Sequence, residues 1–436
     1  MTHIIAIIEG VESTVLANHL DNLPWFNQMI NKEGYYFPLE CGPVPYEIPN
    51  LTTAMTGVGP GSHGCYSYWE IHDIISDKPR VLESFDVKYP RIWEWESLRD
   101  IKWSVVNMQL THPPRPLRGY SLSYLMQQSL RASYPVYLQR EMSKKGIRYA
   151  HDVSAFYRGE APEEFAEKIL TIATLQLEAA YFLAKESDVL IVNLTIADRL
   201  SHFLWAELNQ KETLGRKPYV LQAYNFLDNA LKKLQSLLNN KEFMLVFSEI
   251  GFGPLKEFVS IDHYLQTGGL QTVDSEGRVD NRNSVACEAV QGSHGINLTN
   301  PSISHYDRLV EDVCAYLMSL KFEDNTPILA SAKPREKVYQ GPWMHLAPDI
   351  IINPYDLERP PLGDPRWARH VNRHLQTGWH RPEGFGILLG ADILPGREKH
   401  PLSLTCIAPT IAYLLGAKAP YYCEGAVMEG FGATVV

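Results

Sequence analysis

The chain has no Cys-x-x-Cys pair among its six cysteines, and they are scattered along 436 residues. A disulfide framework or a clustered-cysteine zinc site is therefore not expected, and buried thiols in a reducing, cytoplasmic setting are. There is no basic run or stripe, and the net charge is −10. That balance argues against a nucleic-acid partner and is what a soluble acidic protein carries. No apolar run is long enough to span a bilayer. The opening residues, Met1 to Glu9, lack a basic segment and a small-residue cleavage site, so no secretory signal is expected. The apolar fraction is 45% and the charged fraction 21%, ordinary values for a globular protein with a large core. A small-molecule substrate is the expected partner. Oligomeric state is not legible.

Short apolar runs at His3–Ile8, Val189–Ile196, Phe243–Phe247, Asp349–Ile352 and Phe385–Leu389 read as strands buried on both faces. Helical periodicity lies between them. It runs over Glu163–Glu186, opened by Pro162, over Tyr219–Leu238, and over Tyr306–Leu320. Near the end it runs over Leu402–Leu415, with Gly416 as the expected C-cap. Strands alternating with helices predict an α/β fold with a mainly parallel central sheet and helices on both faces. We expect one domain over 1–436. The stretches 65–140 and 255–345, rich in aromatics, Pro and polar residues, read as insertions forming a cap.

Ligands of open parallel sheets bind beyond the carboxyl ends of the strands. Three acids fall there: Glu9, Asp198 and Glu249, the last opening the turn Gly-Phe-Gly-Pro. Each alone reads as a solvated loop carboxylate; three at corresponding strand ends suggest a shared site. Asp198 and His202 are four apart, which on a helix places both side chains on one face, close enough to share a metal. The competing reading is a helix-start aspartate with an incidental histidine. His380 sits in a turn leading into the strand Phe385–Leu389. The segment from Pro45 to Gly64 reads as a loop, a short helix and a turn, whose helix N-terminus near Asn50 suits an anion.

Together these segments resemble the type I phosphodiesterase/nucleotide pyrophosphatase branch of the alkaline phosphatase superfamily. IIAIIEG resembles the first strand, which in the family ends in a metal-binding Asp-Gly. EIPNLTTAMTGVGPGSHG resembles the nucleophile segment, and DRLSH the Asp-x-x-x-His metal pair. FSEIGFGP resembles the Ser-Asp-His-Gly-Phe-Gly-Pro turn, TGWHRPEGFGILLG the late histidine segment, and IAPTIAYLLG the terminal helix. Six such segments in order cover nearly the whole chain.

The resemblance implies two metal ions, usually zinc. It places Asp198, His202 and His380 on one of them, all of the family's type. The other would take Glu9, Glu47, Glu249 and Ile250, and all four depart from the family's residues. Glu47 stands where the family has a threonine or serine nucleophile, so a phosphothreonine intermediate is excluded. Asn50 matches the asparagine that supports the phosphate. Four carboxylates (Glu9, Glu47, Asp198, Glu249) and two histidines equal the ligand count of carboxylate-bridged di-iron and di-manganese centres. Oxygen ligands also move preference from zinc towards manganese or iron.

Three functions follow. One is a phosphoester or phosphodiester hydrolase using metal-bound hydroxide, with Glu47 as ligand or general base. The second is an oxidative di-iron or di-manganese enzyme, in which iron is favoured. The third is a non-catalytic metal-binding relative.

Other residues carry weaker expectations. His63 is expected to be structural. His294 is a remote substitute ligand for Ile250, and Asp262 with His263 suits a surface loop better than a pocket. The aromatics of Tyr66–Trp103 and the segment Thr111–Pro116 suit either core packing or a substrate pocket.

Overall fold

Five hydrophobic strands with β-branched or aromatic character make the centre of a ten-stranded sheet. The computed structural model describes residues 2–71, 78–126, 129–152, 157–209, 215–239, 241–299, 305–364, 373–390 and 392–432. Contacts divide the chain into two compact units. One comprises residues 1–58, 83–254 and 375–436; the other comprises 59–82 and 255–374. The expected insertion 255–345 falls wholly in the second. Of 65–140, only residues up to 82 belong to the second unit. Residues 83–140 instead supply three strands of the main sheet, Trp103–Val106, Gly119–Leu122 and Ser133–Tyr134. Strands of two to four residues are too short to show a period, which is why the stretch read as an insertion.

In the first unit the strand order is Gly396–Arg397, Tyr35–Glu40, Glu383–Gly390, Phe243–Ser248, His3–Ile7, Val189–Asn193, Trp103–Val106, Gly119–Leu122, Ser133–Tyr134, with Leu402–Ser403 also on Tyr35–Glu40. The central pairings are parallel: His3–Ile7 with both Val189–Asn193 and Phe243–Ser248, and Val189–Asn193 with Trp103–Val106. Glu383–Gly390 runs antiparallel between Phe243–Ser248 and Tyr35–Glu40. The sheet is therefore mainly parallel, as expected.

Alternation along His3–Ile7 splits the core in two. Ile4 and Ala6 pack with the helices Pro162–Ala184, Ile196–Leu204 and Tyr219–Gln235. Ile5 and Ile7 face the opposite layer, with the helices Glu47–Thr56 and Ile407–Leu414. Because both faces are covered, the strands read as unbroken apolar runs. The expected helix Leu402–Leu415 begins later. Leu402–Ser403 is a strand, Leu404–Cys406 a 3₁₀ turn, and the helix proper is Ile407–Leu414, with Gly416 just beyond it at φ +74°.

The second unit has its own core and a four-stranded antiparallel sheet in the order Ala286–Glu288, Gly295–Leu298, Ile350–Pro354, Leu329–Pro334. The predicted strand Asp349–Ile352 lies here rather than in the main sheet, and the helix Tyr306–Ser319 packs on its strand Leu329–Pro334. No helix among the described residues is long and apolar enough to cross a membrane. No disulfide joins the six cysteines.

Candidate metal centre

Register brings the candidate residues to one rim of the first unit. Ile7 lies level with Asn193 on one side and with Phe247 on the other. The chain therefore leaves all three central strands at the same height. Glu9 follows the first by two residues. Asp198 is the third residue of the helix Ile196–Leu204 that succeeds the second, and Glu249 directly follows the third. Gly10 permits the first of these turns. It has φ +73°, and a Cβ there would lie 3.0 Å from the Cα of Asp198. The loop is pinned further along. The Tyr224 hydroxyl accepts from the Glu12 amide, and the Glu12 carboxylate accepts from the Phe252 amide.

The helix Ile196–Leu204 sets Asp198 and His202 one turn apart. His380 comes from the strand Gly378–Arg381, which pairs antiparallel with Gly251–Pro254 so that His380 is opposite Phe252. Nε2 of His380 is 3.2 Å and Nε2 of His202 is 3.4 Å from Oδ1 of Asp198. One ligand atom from each of these three residues lies within 4.8 Å of the others. Nδ1 of His380 is 3.1 Å from the Pro45 carbonyl. A donor to that carbonyl fixes the tautomer and leaves Nε2 with a lone pair, as metal-binding imidazoles require. Trp379 stacks on the His380 ring at 4.6 Å between centroids. The three residues are thus close enough that one cation could touch all of them.

The other three carboxylates are buried beside them. Glu9, Glu47 and Glu249 are 0%, 6% and 0% exposed. Burial, then the charge of Asp198, pushes the Glu9 carboxyl well above the usual range. Burial, then the charge of Glu9, does the same to Glu249, with Glu47 and Asp198 adding to it. For Asp198, burial is opposed by the His202 imidazole and the Arg199 guanidinium, which hold it well below the usual range. These mutual effects place the four carboxylates in one electrostatic neighbourhood. Oε1 of Glu9, Oε2 of Glu47 and both side-chain oxygens of Glu249 are buried without a hydrogen bond of normal geometry. Leaving such oxygens bare in a folded interior is costly. A divalent cation would satisfy acceptor-only oxygens of this kind, although the three glutamates do not bring their ligand atoms as close together as Asp198, His202 and His380 do.

Ile250 is fully buried in the hydrophobic layer with Ile5, Ile7 and Phe247. The side chain that stands where the family has an imidazole serves the core here. Among the described residues, the potential metal-holding group is Asp198, His202 and His380 only. Glu47 opens the helix Glu47–Thr56, and its Oε2 lies 3.9 Å from Nδ1 of His380.

Asn50 differs from expectation. Its Oδ1 accepts from the Gly42 amide at 2.7 Å, and its Nδ2 donates to the carbonyls of Val44 and Tyr46. Every polar atom of that amide is engaged in folding the loop before the helix, so it has no donor left for a substrate phosphate.

Sequence reasoning did not find four further groups. Arg199 binds Oδ2 of Asp198, Oδ2 of Asp152 and the Tyr124 hydroxyl. Asp152 also accepts from Gln176 and Thr195. Gln109 and Asn193 both donate to Oε2 of Glu9. The only cue for Arg199 was its place next to Asp198; the amides gave none.

Of the remaining candidates, Tyr66 and Trp69 line a cavity within the second unit. His63 is buried, and its Nδ1 accepts from the Cys65 amide. Asp262 accepts from Gln271 and from the Glu288 amide, and its neighbour His263 is exposed. His294 lies in the second unit, buried, at φ +46°. Trp93, Trp95 and Trp103 are core residues, and Arg115 pairs with Glu94. Residues 72–77 of the aromatic stretch lie outside the described residues.

No curated protein sequence matches the chain. Phosphonoacetate hydrolase from Sinorhizobium meliloti 1021, solved in complex with phosphonoformate, is similar with a TM-score of 0.64 and 14% identity, covering 96% of this chain and 95% of that one. Murine ectonucleotide pyrophosphatase / phosphodiesterase 5 is similar with a TM-score of 0.57 and 13% identity, covering 96% of each chain. Alkaline phosphatase PafA is similar with a TM-score of 0.59 and 12% identity, covering 98% of each. At such identities the likeness speaks for the fold alone. The sequence profile described as Type I phosphodiesterase / nucleotide pyrophosphatase matches residues 4–375. The chain belongs to the type I phosphodiesterase / nucleotide pyrophosphatase family.

Proposed function

We propose that this chain is a metal-dependent phosphodiester hydrolase that works with two divalent ions and without a covalent phosphoenzyme. The observation that carries the reading is the group of bare, buried carboxylate oxygens on Glu9, Glu47 and Glu249, next to the converged Asp198, His202 and His380. One cation suits the Asp-His-His set, and a second suits the three glutamates. Glu9, Glu47, Asp198 and Glu249 would bring up to four negative charges once ions displace the protons that burial favours on Glu9 and Glu249. Arg199 brings one positive charge and is shared with Asp152. The deficit asks for cations.

When bound, divalent ions polarise a phosphoryl oxygen and lower the pKa of water. The chain's own residues do the rest. Glu47 cannot form the phosphothreonine of its relatives. Its carboxylate, at the N-terminus of a ten-residue helix, is assigned the proton of the attacking water. The water oxygen forms the new bond to phosphorus, the bond to the leaving alkoxide breaks, and the proton ends on that alkoxide. The products are a phosphomonoester and an alcohol. Asp198, His202 and His380 hold charge opposite the substrate, and Asn50 acts on the loop rather than on phosphate.

The test is elemental analysis of protein purified without chelators, with turnover of an aryl phosphodiester. The expected result is two zinc or manganese ions per chain, and turnover that a chelator abolishes and added ion restores. Near-stoichiometric iron with a visible band on exposure to oxygen, and no turnover, would replace this reading with the oxidative one. Protein without metal would leave a non-catalytic relative.

A further inference from the structure

The Glu9 carboxylate is asymmetrically served. Nε2 of Gln109 donates to its Oε2 at 2.5 Å and Nδ2 of Asn193 donates to the same oxygen at 2.6 Å. Asn193 also donates to Oε1 of Gln109 at 3.0 Å, which locks the two amides to each other. All three residues are buried. Two N–H groups fill the acceptor directions of Oε2, so a proton cannot sit there. The other oxygen, Oε1, is buried and has no hydrogen-bond partner. A pair of amides that served only to solvate a buried carboxylate would be expected to reach both oxygens.

The backbone that delivers Gln109 is itself costly. Asn107 and Leu110, flanking it, have φ of +59° and +51°. Left-handed backbone at residues other than glycine is uncommon and persists where surrounding contacts impose it. Those contacts are present. Asn107 donates to the Asn193 carbonyl and accepts from the Tyr149 hydroxyl, and the Leu110 carbonyl accepts from Arg91. Asn193 ends the central strand Val189–Asn193, a rigid support. A strained turn and a strand end therefore meet at one oxygen of one carboxylate.

We infer that Gln109 and Asn193 are positioning residues that clamp Oε2 of Glu9 and present Oε1 alone to the second cation. The inference rests on the two-ion reading above. Under it, Glu9 is a one-oxygen ligand, and its longer side chain, compared with the aspartate of relatives, is held at fixed reach by the amide pair. Loss of such outer partners typically weakens metal binding by about 10–100-fold.

The test uses the full-length protein, stripped of metal and titrated with Mn²⁺, with bound ion read by calorimetry and by electron paramagnetic resonance. Gln109→Met keeps the volume and removes the donor. Gln109→Glu keeps the shape and adds a like charge, and serves if the first variant folds poorly. Thermal unfolding of the metal-free variants reports a merely structural loss. The expected result is wild type with two ions, and Gln109→Met with one ion unchanged and the other about 10–100-fold weaker, with an altered resonance. Two ions at unchanged affinity in a folded variant would overturn the clamp and leave the two-ion reading intact. A wild type that binds only one ion would remove both.

Discussion

Arg199 grips Oδ2 of Asp198 while the imidazoles of His202 and His380 converge on Oδ1. The carboxylate is thereby divided: one oxygen belongs to the protein, the other to whatever cation the histidines hold. The same guanidinium also neutralises Asp152. Removing it leaves two buried carboxylates short of a counter-charge, a loss on the order of 3–5 kcal/mol. Arg199→Gln should therefore lower the unfolding free energy of metal-free protein by about that amount. With Zn²⁺ bound, the loss should shrink, because the ion takes over part of the compensation. Denaturant unfolding with and without Zn²⁺ checks this; equal losses in both states would show that Arg199 and the ion do not share Asp198.

Glu47 tests the chemistry. Glu47→Ala should drop one ion per chain and reduce phosphodiester turnover by at least about 100-fold, in line with loss of a general base. Glu47→Thr restores the hydroxyl of the family and should give weak turnover with a phosphorylated protein detectable by mass spectrometry after rapid quench. Full metal content and full activity in Glu47→Ala would mean that this residue has no part in either.

Gly10→Ala probes the turn that brings Glu9 against Asp198. Its φ is +73°, and a Cβ meets Asp198 backbone at 3.0 Å. The substitution should cost more than the about 1 kcal/mol of an unstrained left-handed position, and metal affinity should fall with it. A melting temperature and metal content equal to wild type would place the constraint elsewhere.

A pH experiment addresses the second unit. Burial, then the neighbouring Asp262, raises the Glu288 carboxyl to about 8. The unfolded chain has it near the model-peptide value of about 4.3. Folding takes up a proton there between those limits, so the stability it permits is full below the lower limit and is lost as pH rises towards the upper. Glu288→Gln should remove that dependence. Urea unfolding at pH 5 and pH 8 should show wild type losing more stability than the variant. Parallel behaviour would show that Glu288 stays ionised in the folded protein.

The sequence carried the sheet and the rim because long apolar strands leave a signal that survives in a single chain. His3–Ile7, Val189–Asn193 and Phe243–Ser248 were legible to within a few residues, and with them the place of Glu9, Asp198 and Glu249. The i, i+4 spacing of Asp198 and His202 also survived into geometry. Ile350–Pro354 was legible as a strand but not as part of the second sheet, since buried runs look alike whichever sheet they join. Gln109, Asn193 and Arg199 were not legible as site residues. Each acts through a hydrogen bond made across the fold or by a long side chain reaching back to its neighbour, and neither leaves a spacing. Asn50 was read through resemblance, and its amide proved to be committed to the loop before it.

Glu249 lies in the turn between the central strand Phe243–Ser248 and the short strand Gly251–Pro254, which pairs with the strand Gly378–Arg381 that carries His380. The ribbon therefore ties the backbone just after Glu249 to the backbone that carries His380. A substitution that slips this pairing should disturb both residues together.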